Sequence, residues 1–249
     1  MNQRLALVTG GGSGIGREIC LGLARDGRNI AVADINLVGA QETTAMVVQS
    51  GGTAIAVHMD VSETDAVHDS VIEVIDELGA IEVLVNCAGW DELMPFLSTD
   101  EAFWDRVIEI NYKGILRTVH ACLPSMVEAR WGRIVNMSSV GARTGGISQS
   151  CIYAATKAGL IAITKNFARN LGPYGITTNA VAPGAIATPM AVEQSLSDES
   201  LLKRVVEATP VGRLGTADEA AATVVFLASE EASFITGACL DVNGGLTMS

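Results

Sequence analysis

The feature that most constrains the fold is a glycine-rich stretch close to the amino terminus. The sequence LVTGGGSGIG places five glycines among the seven residues 10–16, directly after the apolar Leu7 and Val8. Glycine inside a helix or strand costs about 0.5–1 kcal/mol relative to alanine, so this cluster is either a flexible linker or a close approach of backbone to another group. Because it lies between a predicted strand, Leu5–Thr9, and a predicted helix, Ile15–Arg25, we favour the second interpretation.

The same strand-and-helix unit recurs along the chain. Further strands are predicted at Asn29–Asp34, Ala54–Asp60, Ile81–Asn86, Arg133–Met137, Ile176–Val181 and Cys239–Val242. Helices are predicted at 36–49, around 67–78, and at Glu101–Glu109, Gly114–Ala129, Ile152–Leu171 and Ala217–Ala228, with a less regular stretch at Pro189–Glu207. This alternation predicts an α/β fold, a doubly wound parallel seven-stranded sheet with helices on both faces. No linker composition divides residues 1–249, so we expect a single domain.

Composition and charge exclude several classes of function. A net charge of −12 makes nucleic acid and anionic membranes poor candidates as partners, because binding them needs basic surface. No apolar run reaches the roughly 18 residues that a membrane span needs, and no secretory signal is recognisable. The five cysteines and three histidines show no metal-ligand spacing, so no metal site is expected. We therefore expect a cytoplasmic protein that acts on a small molecule.

The glycine cluster has the position of a phosphate-binding turn. Gly10, Gly14 and Gly16 would let backbone N–H groups approach a pyrophosphate at the start of the helix. Asp34 ends the second strand 18 residues after Gly16, where a carboxylate can accept hydrogen bonds from an adenosine ribose. The alternative is that Asp34 caps the following helix. The first reading predicts a dinucleotide site.

Asp34 also bears on the choice of dinucleotide. A carboxylate repels the 2′-phosphate of NADP, and neither Ser13 nor Ile35 supplies a cation for it. Arg17 is the nearest cation, but its position one turn into the helix predicts a solvent-facing side chain. NAD is therefore the expected cofactor, and NADP the less favoured one.

The sequence YAATK places Tyr153 and Lys157 four residues apart, on one face of a predicted helix. The alternative is a packing tyrosine and a solvated lysine. Upstream, the strand RIVNM ends at Ser138 and Ser139, and the carboxyl ends of parallel strands are where open α/β sheets bind ligands. The residues alone fit either this alternative or a proton-transfer site built from a hydroxyl, a phenol and an ammonium.

Taken in order, these motifs resemble those of the short-chain dehydrogenase/reductase family across essentially the whole chain. The matching segments are Thr9-Gly10-x-x-x-Gly14-x-Gly16, Asn86-Cys87-Ala88-Gly89, Asn111, Ser139, Tyr153-x-x-x-Lys157 and Pro183-Gly184. The tail segments PVGRLG, FLAS, FITG and NGG resemble the branch that reduces 3-oxoacyl thioesters. The resemblance implies a Rossmann fold, with a dinucleotide-binding half at about 1–135 and a catalytic and substrate half at about 136–249.

The resemblance also implies roles for individual residues. Tyr153 would be the acid/base, Ser139 would bind the reacting oxygen, Lys157 would hold the nicotinamide ribose and Asn111 would hold a relay water. Asp60 and Val61 would contact the adenine, Asn86, Ala88 and Gly89 would border the adenosine, and Thr188 would meet the carboxamide. The full set expected at the cofactor is Gly10, Ser13, Gly14, Ile15, Gly16, Asp34, Ile35, Asp60, Val61, Asn86, Ala88, Gly89, Tyr153, Lys157, Pro183, Gly184, Ile186 and Thr188.

Two departures from the family pattern stand out. Cys87 replaces the usual second asparagine of its motif, and the spacing from Ser139 to Tyr153 is one residue longer than usual, which leaves Ser138 as an alternative to Ser139. Tyrosine has an ordinary pKa of about 10, so we expect Lys157 and the nicotinamide to lower the pKa of Tyr153 towards neutrality.

Substrate and assembly are less constrained. Expected lining residues are Trp90, Met94, Ile147, Gln149 and Met190, each of which could equally serve packing. Their apolar character favours a hydrophobic secondary alcohol or ketone, and the run Ala-Gly-Trp-Asp resembles a branch acting on cyclic hydroxyacyl-CoA thioesters, for which Arg143 is the nearby cation. The family implies a homotetramer, and the small residues Ala154, Ala155, Ala158, Gly159 and Ala162 are compatible with a helix-paired dimer face. Alternatives are an NADPH-dependent 3-oxoacyl-thioester reductase and a non-catalytic dinucleotide-binding sensor.

Overall fold

A computed structural model describes residues 4–146, 150–188 and 199–248, and its centre is a seven-stranded parallel sheet. The strands are β1 (Leu5–Thr9), β2 (Asn29–Asp34), β3 (Ala54–His58), β4 (Ile81–Asn86), β5 (Gly132–Met137), β6 (Ile176–Pro183) and β7 (Cys239–Val242). Their order in the sheet is β3-β2-β1-β4-β5-β6-β7. The predicted doubly wound Rossmann fold is confirmed.

Helices connect these strands. They are α1 (Gly14–Arg25), α2 (Leu37–Gln49), α3 (Thr64–Leu78), α4 (Glu101–Ile108), α5 (Gly114–Ala129), α6 (Gly141–Thr144), α7 (Cys151–Leu171), α8 (Glu199–Ala208) and α9 (Ala217–Leu227). The prediction of irregular structure up to Glu207 is wrong over α8, where pairs of apolar residues recur with helical spacing in the sequence ESLLKRVVEA. A π-helical turn, Glu109–Lys113, joins α4 to α5.

The helices cover both faces of the sheet. Leu5 and Leu7 of β1 belong to the core beneath α3, α5 and α7, whereas Ala6 and Val8 belong to the core beneath α1, α2 and α9. Successive side chains of a strand point to opposite faces, so each strand contributes to both cores. This explains why the central strands are continuously apolar rather than alternating.

The topology sets the position of a ligand cleft. The chain leaves β1 towards β2 on one side, whereas β4 leads to β5 on the other, although β1 and β4 are neighbours. In open α/β sheets, ligands bind at such a switch point, outside the carboxyl ends of the strands. We call this side of the sheet the carboxyl edge. There Thr9 of β1 pairs with Asn86 of β4, and Asn86 lies beside Asn136 of β5.

Two further findings concern the described part of the chain. None of its helices combines the length and apolar character needed to cross a membrane. Nor do its histidine, cysteine, aspartate and glutamate side chains form a group of three that could hold a metal ion.

Candidate active site and dinucleotide cleft

The glycine-rich turn between β1 and α1 needs glycine for two reasons. Gly10 and Gly14 have φ angles of +68° and +52°, which favour residues without a side chain. A Cβ atom at Gly16 would lie 2.0 Å from the Gly10 carbonyl oxygen, so α1 packs directly on the turn. Ser13 precedes α1 without a side-chain cap, which leaves the first N–H groups of the helix, from Gly14 and Ile15 onwards, to bind an anion. This arrangement fits a pyrophosphate.

The carboxylate of Asp34 is hydrogen-bonded to the same glycine-rich turn. One of its carboxylate oxygens accepts a hydrogen bond from the Gly12 N–H at 2.9 Å, and the other accepts from the Asn36 N–H at 2.9 Å. The cap of α2 is Asn36, whose side chain accepts from Gly39 N–H, so the alternative that Asp34 caps this helix is wrong. Ile35, next to it, is exposed. The carboxylate thus lies beside the expected pyrophosphate turn, where a ribose would reach it.

The expectation that Arg17 faces solvent is wrong. Its guanidinium donates to the Gly12 carbonyl oxygen, to Thr43 Oγ1 at 3.0 Å and to a carboxylate oxygen of Glu42 at 2.9 Å. The contact arises because α1 and α2 pack side by side, which helical spacing alone does not reveal. Glu42 pairs with the positive charge of Arg17, so Asp34 remains the dominant charge facing the expected ribose.

Residues expected beside the adenine have specific local contacts. Asp60 follows β3, and its carboxylate accepts from the N–H and the hydroxyl of Ser62, at 2.9 and 2.6 Å. Val61 is buried against Gly114 of α5. Thr9 Oγ1 accepts from the N–H groups of Cys87 and Ala88, both at 3.2 Å, and so ties the loop after β4 to β1.

The side chain of Asn86 also has a structural role. It is buried, accepts from Thr118 Oγ1 at 2.6 Å and donates to Asn136 Oδ1 at 2.9 Å. Asn136 in turn donates to Thr164 Oγ1 of α7 at 2.9 Å. This chain of hydrogen bonds links α5, β4, β5 and α7 beneath the cleft, and a contact between residue Asn86 and the adenosine stays a prediction.

Tyr153 and Lys157 lie on adjacent turns of α7 and face the carboxyl edge. Lys157 Nζ lies 5.3 Å from the centre of the Tyr153 ring and donates to the Met137 carbonyl oxygen at 2.9 Å. Lys157 is 3 % exposed, so the reading of a solvated lysine is wrong. The helix therefore brings a phenol and a desolvated ammonium together, as the spacing predicts.

The two serines after β5 differ in their contacts. Ser138 Oγ donates to the Lys157 carbonyl oxygen at 2.8 Å. Ser139 Oγ accepts from Gly141 N–H at 3.0 Å, and the Ser139 side chain acts to lower the pKa of the neighbouring Tyr153 phenol. The geometry therefore favours Ser139, rather than Ser138, as the partner of the phenol.

The pKa values in this site are governed by burial. Burial and, next, the charge of Asp91 raise the pKa of Tyr153, and the Ser139 hydrogen bond opposes them. In the protein alone, loss of water destabilises the phenolate more than its neighbours stabilise it, and the lowering expected from Lys157 together with the nicotinamide stays a prediction. Burial lowers the pKa of Lys157 to about 8. Tyr153 is consequently protonated at neutral pH, the form that donates a proton.

Asn111 lies in the π-helical turn between α4 and α5 and is fully buried. Its amide donates to the carbonyl oxygens of Trp90 and Val107, at 2.6 and 3.0 Å, and its Oδ1 accepts from Trp90 N–H at 3.2 Å. A Cβ atom at Gly89 would lie 2.8 Å from Asn111 Oδ1 and 3.4 Å from Lys157 Nζ. Asn111 thus fixes the backbone beside Lys157, and its role in holding a relay water stays a prediction.

The remaining cofactor candidates follow β6. Gly184 packs so closely on Asn243 that a Cβ atom there would lie 2.7 Å from the Asn243 Cα. Pro183 ends the strand and accepts from Val140 N–H at 2.8 Å, while Ile186 is buried. Thr188 is the last described residue of this segment.

Of the expected substrate residues, Trp90 and Met94 can be described, and Ile147, Gln149 and Met190 lie outside the described residues. Trp90 makes an edge contact with Phe103 at 5.7 Å between ring centres, and the Arg106 guanidinium lies 3.9 Å above its ring. Met94 is half-buried. The Trp90 ring is therefore part of a packed aromatic and cationic cluster beside the site, and Arg106 is a cation that the sequence did not suggest.

Two buried residues of the site were also not predicted. Asp91 and Ser150 are hydrogen-bonded to each other at the start of α7. A serine before a predicted helix is a recognisable capping signal for Ser150. Nothing in the local sequence pairs it with Asp91, which lies 59 residues away.

Comparison with known proteins agrees with this geometry. A family model described as "Enoyl-(Acyl carrier protein) reductase" matches residues 10–247. A Staphylococcus aureus protein named 3-oxoacyl-[acyl-carrier-protein] reductase FabG is 41 % identical over 98 % of both chains. A dog protein named (3R)-3-hydroxyacyl-CoA dehydrogenase is 39 % identical over 100 % of this chain and 98 % of its own.

This chain is also similar to reductases whose structures have been solved. A 3-oxoacyl-[acyl-carrier protein] reductase from Brucella melitensis with bound NAD has a TM-score of 0.90 and 37 % identity, covering 100 % of this chain and 92 % of its own. The fold and the site define an oxidoreductase with a dinucleotide-binding fold. The chain belongs to the short-chain dehydrogenase/reductase family.

Proposed function

We propose that the protein is an NAD(H)-dependent oxidoreductase that interconverts a secondary alcohol and a ketone, and that its substrates are 3-hydroxyacyl and 3-oxoacyl thioesters. The observation that carries the proposal is the cluster of Ser139, Tyr153 and the buried Lys157 at the same edge of the sheet as the glycine-rich turn and Asp34. Together they offer a proton donor beside a dinucleotide cleft.

The chain's own residues would handle the proton and the oxygen. Ser139 and Tyr153 would both bind the carbonyl oxygen of a ketone, and their hydroxyl groups would stabilise the negative charge that develops on it. Tyr153, protonated because burial raises its pKa, would donate the proton to that oxygen. The dinucleotide, when bound, supplies or accepts the hydride. In alcohol oxidation the proton moves the opposite way.

The preference for NAD rests on Asp34. The residues fit a dinucleotide, since the helix start can hold the pyrophosphate and the carboxylate can accept hydrogen bonds from two ribose hydroxyls. A 2′-phosphate would lie against this negative charge. The Brucella melitensis relative, whose structure contains NAD, supports the same preference.

The choice of thioesters rests on the relatives and on the site's rim. Both curated relatives carry names that specify 3-oxoacyl or 3-hydroxyacyl thioesters. In this chain, Trp90 and Phe103 provide apolar surface, and Arg106 places a positive charge beside it. Arg143, which the sequence suggested for this purpose, instead pairs with Asp241 at 3.4 Å. An acyl chain and the phosphates of its carrier would find complementary groups there.

The assembly proposed with this function is a cytoplasmic homotetramer. Ala155, Ala158 and Ala162 are exposed along one side of α7, where small side chains would let two helices approach closely. The mass of the particle by light scattering tests this directly, with four times 25.9 kDa expected.

The function is tested by steady-state rates with NADH and NADPH, using acetoacetyl-CoA and a panel of simple secondary ketones. We expect NADH and acetoacetyl-CoA to give the highest kcat/KM. Replacing the acid and adding a cation, in the double variant Asp34→Ala with Ile35→Arg, should shift the preference towards NADPH by at least about tenfold, equivalent to about 1.4 kcal/mol.

Three results would contradict parts of this proposal. A wild-type preference for NADPH would reject the role of Asp34 and favour the NADPH-dependent reductase. Turnover of simple ketones without acetoacetyl-CoA turnover would reject the thioester substrate. Tight NADH binding without turnover of any member of the panel would indicate a dinucleotide sensor.

A further inference from the structure

Asp91 is a buried carboxylate that the proposed reaction does not use. It is 6 % exposed, and its two oxygens both contact Ser150. One accepts from Ser150 Oγ at 2.6 Å and the other from Ser150 N–H at 3.0 Å. A buried carboxylate needs such hydrogen bonds, because an isolated charge is costly to remove from water.

Ser150 transmits this contact to the active-site helix. It is the N-cap residue of α7, and its Oγ accepts from the Tyr153 N–H at 3.1 Å. The single hydroxyl therefore donates to Asp91 and accepts from the first turn of the helix. Removing a serine cap destabilises a helix, and here the cap itself is held in place by a charged acceptor.

The segment that carries Asp91 also runs beside Lys157. Gly89, two residues earlier, faces Lys157: a Cβ atom added at Gly89 would lie 3.4 Å from Lys157 Nζ. Asn111 holds the intervening Trp90 through two hydrogen bonds, one to each of its backbone polar groups. The backbone around Asp91 is thus fixed from both sides.

We propose that Asp91 is a positioning residue, which holds the start of α7 through Ser150 and, from the backbone segment that runs past Lys157, stabilises the Lys157 ammonium. The role in catalysis rests on the proposed function, whereas the effect on Lys157 does not. Asp91 touches no reacting atom in this account. It acts through Ser150 and Lys157.

The charges around Lys157 are consistent with this role. The groups near it are the Met137 carbonyl from β5, the Tyr153 ring on its own helix, the Cys87 thiol and Gly89 after β4, and Asn111 from the π-helical turn. Burial lowers the pKa of Lys157, and Cys87 and Asp91 oppose that effect. The pKa of Asp91 is raised by burial, against the Ser150 hydrogen bonds and the Lys157 charge. Removing the Asp91 charge should therefore destabilise the ammonium.

The test is a pH titration of Lys157 in protein labelled with ¹³C at lysine Cε. The chain has four lysines, so few signals are present, and Lys157→Met assigns the one of interest. We expect Asp91→Asn to lower the titration midpoint of Lys157 by about one pH unit. Ser150→Ala removes the cap and keeps the charge, so its midpoint should stay near that of wild type.

Control variants separate the effect of the lost Asp91 charge from an effect on folding. Asp100→Asn removes the same charge from another helix cap, that of α4, and should leave the midpoint unchanged. Asp91→Glu restores the charge and should restore the midpoint. Asp91→Thr, a smaller neutral variant, replaces Asp91→Asn should that protein not fold.

A second readout concerns turnover with NADH and acetoacetyl-CoA. Ser150→Ala should lower kcat several-fold with little change in KM, because Tyr153 is less well aligned while the rim is intact. An unchanged Lys157 midpoint in the neutral Asp91 variants would overturn the electrostatic part, and an unchanged kcat in Ser150→Ala would overturn the positioning part. Inactivity of the wild-type protein with acetoacetyl-CoA would instead count against the proposed function, while the titration would still decide the effect of Asp91 on Lys157.

Discussion

The edge of the sheet where the strands begin, which we call the amino edge, and the carboxyl edge both contain buried cations. The partners of these cations differ. At the amino edge, Arg133 is 2 % exposed and donates to the Ser229 carbonyl oxygen at 3.1 Å, with Glu230 at 3.4 Å. The Arg4 guanidinium lies 3.5 Å above the Trp131 ring and also pairs with Glu230. These cations share a hydrogen-bonded carboxylate.

At the carboxyl edge, the Lys157 ammonium is equally buried, but fewer neighbouring groups stabilise its charge. Its ammonium donates to the Met137 carbonyl oxygen, and no carboxylate of the described residues forms an ion pair with it. Burial lowers its pKa to about 8. The comparison teaches that Lys157 has no carboxylate partner among the described residues whereas Arg133 has one, and a buried charge of this kind is typical of functional sites.

The first way to test this contrast is the pH dependence of stability. The pKa of Lys157 is about 8 in the folded chain against an ordinary value of 10.5, so the unfolded chain binds more protons between these values. The full penalty is present below pH 8 and is relieved as pH rises towards 10.5. Relative to Lys157→Met, the free energy of unfolding of wild type should therefore rise over this range, by about 3 kcal/mol.

Urea unfolding of both proteins from pH 7 to 10 measures this difference. Lys165→Met, which removes an exposed lysine from the same helix, is the matched control and should show no such trend. A constant difference between wild type and Lys157→Met would mean that Lys157 has no burial penalty, and the contrast between the edges would be lost.

A substitution at the amino edge is expected to change the free energy of unfolding by a smaller amount. Arg133→Met leaves the Ser229 carbonyl oxygen without its buried donor, which should lower the free energy of unfolding by about 2 kcal/mol at neutral pH. At saturating NADH, kcat should be unchanged. Arg213→Met, which removes an exposed pair with Glu219, should change stability less. If Arg133→Met reduced kcat while leaving stability intact, the assignment of the two edges would be reversed.

Sequence patterns predicted the fold well because they report local structure. The bounds of β1, β2, β4 and β7 agree with their apolar runs, and the spacing of Tyr153 and Lys157 placed both on one side of α7. The helix α8 was missed because a short amphipathic pattern next to polar residues resembles a loop.

The contacts that complete the site could not be predicted in this way. Arg17 reaches α2, Asn111 depends on a π-helical turn, and Asp91 meets Ser150 from a distant loop. Each depends on how separate elements pack, which periodicity does not encode. The rise of the Tyr153 pKa in the protein alone has a related cause, because burial is a property of the whole fold.

The central claim is that Tyr153 supplies the proton while hydride passes from the dinucleotide to a carbonyl carbon. The most direct measurement is single-turnover transfer of deuterium from NADH labelled at nicotinamide C4 to acetoacetyl-CoA, followed by mass spectrometry of the product. Wild type should place one deuterium on the carbinol carbon with one stereoisomer of the labelled NADH. Tyr153→Phe should bind NADH with similar affinity and transfer the label about 10²–10⁴-fold more slowly. Transfer within a few-fold of the wild-type rate in Tyr153→Phe, or product without deuterium from either stereoisomer, would contradict the account.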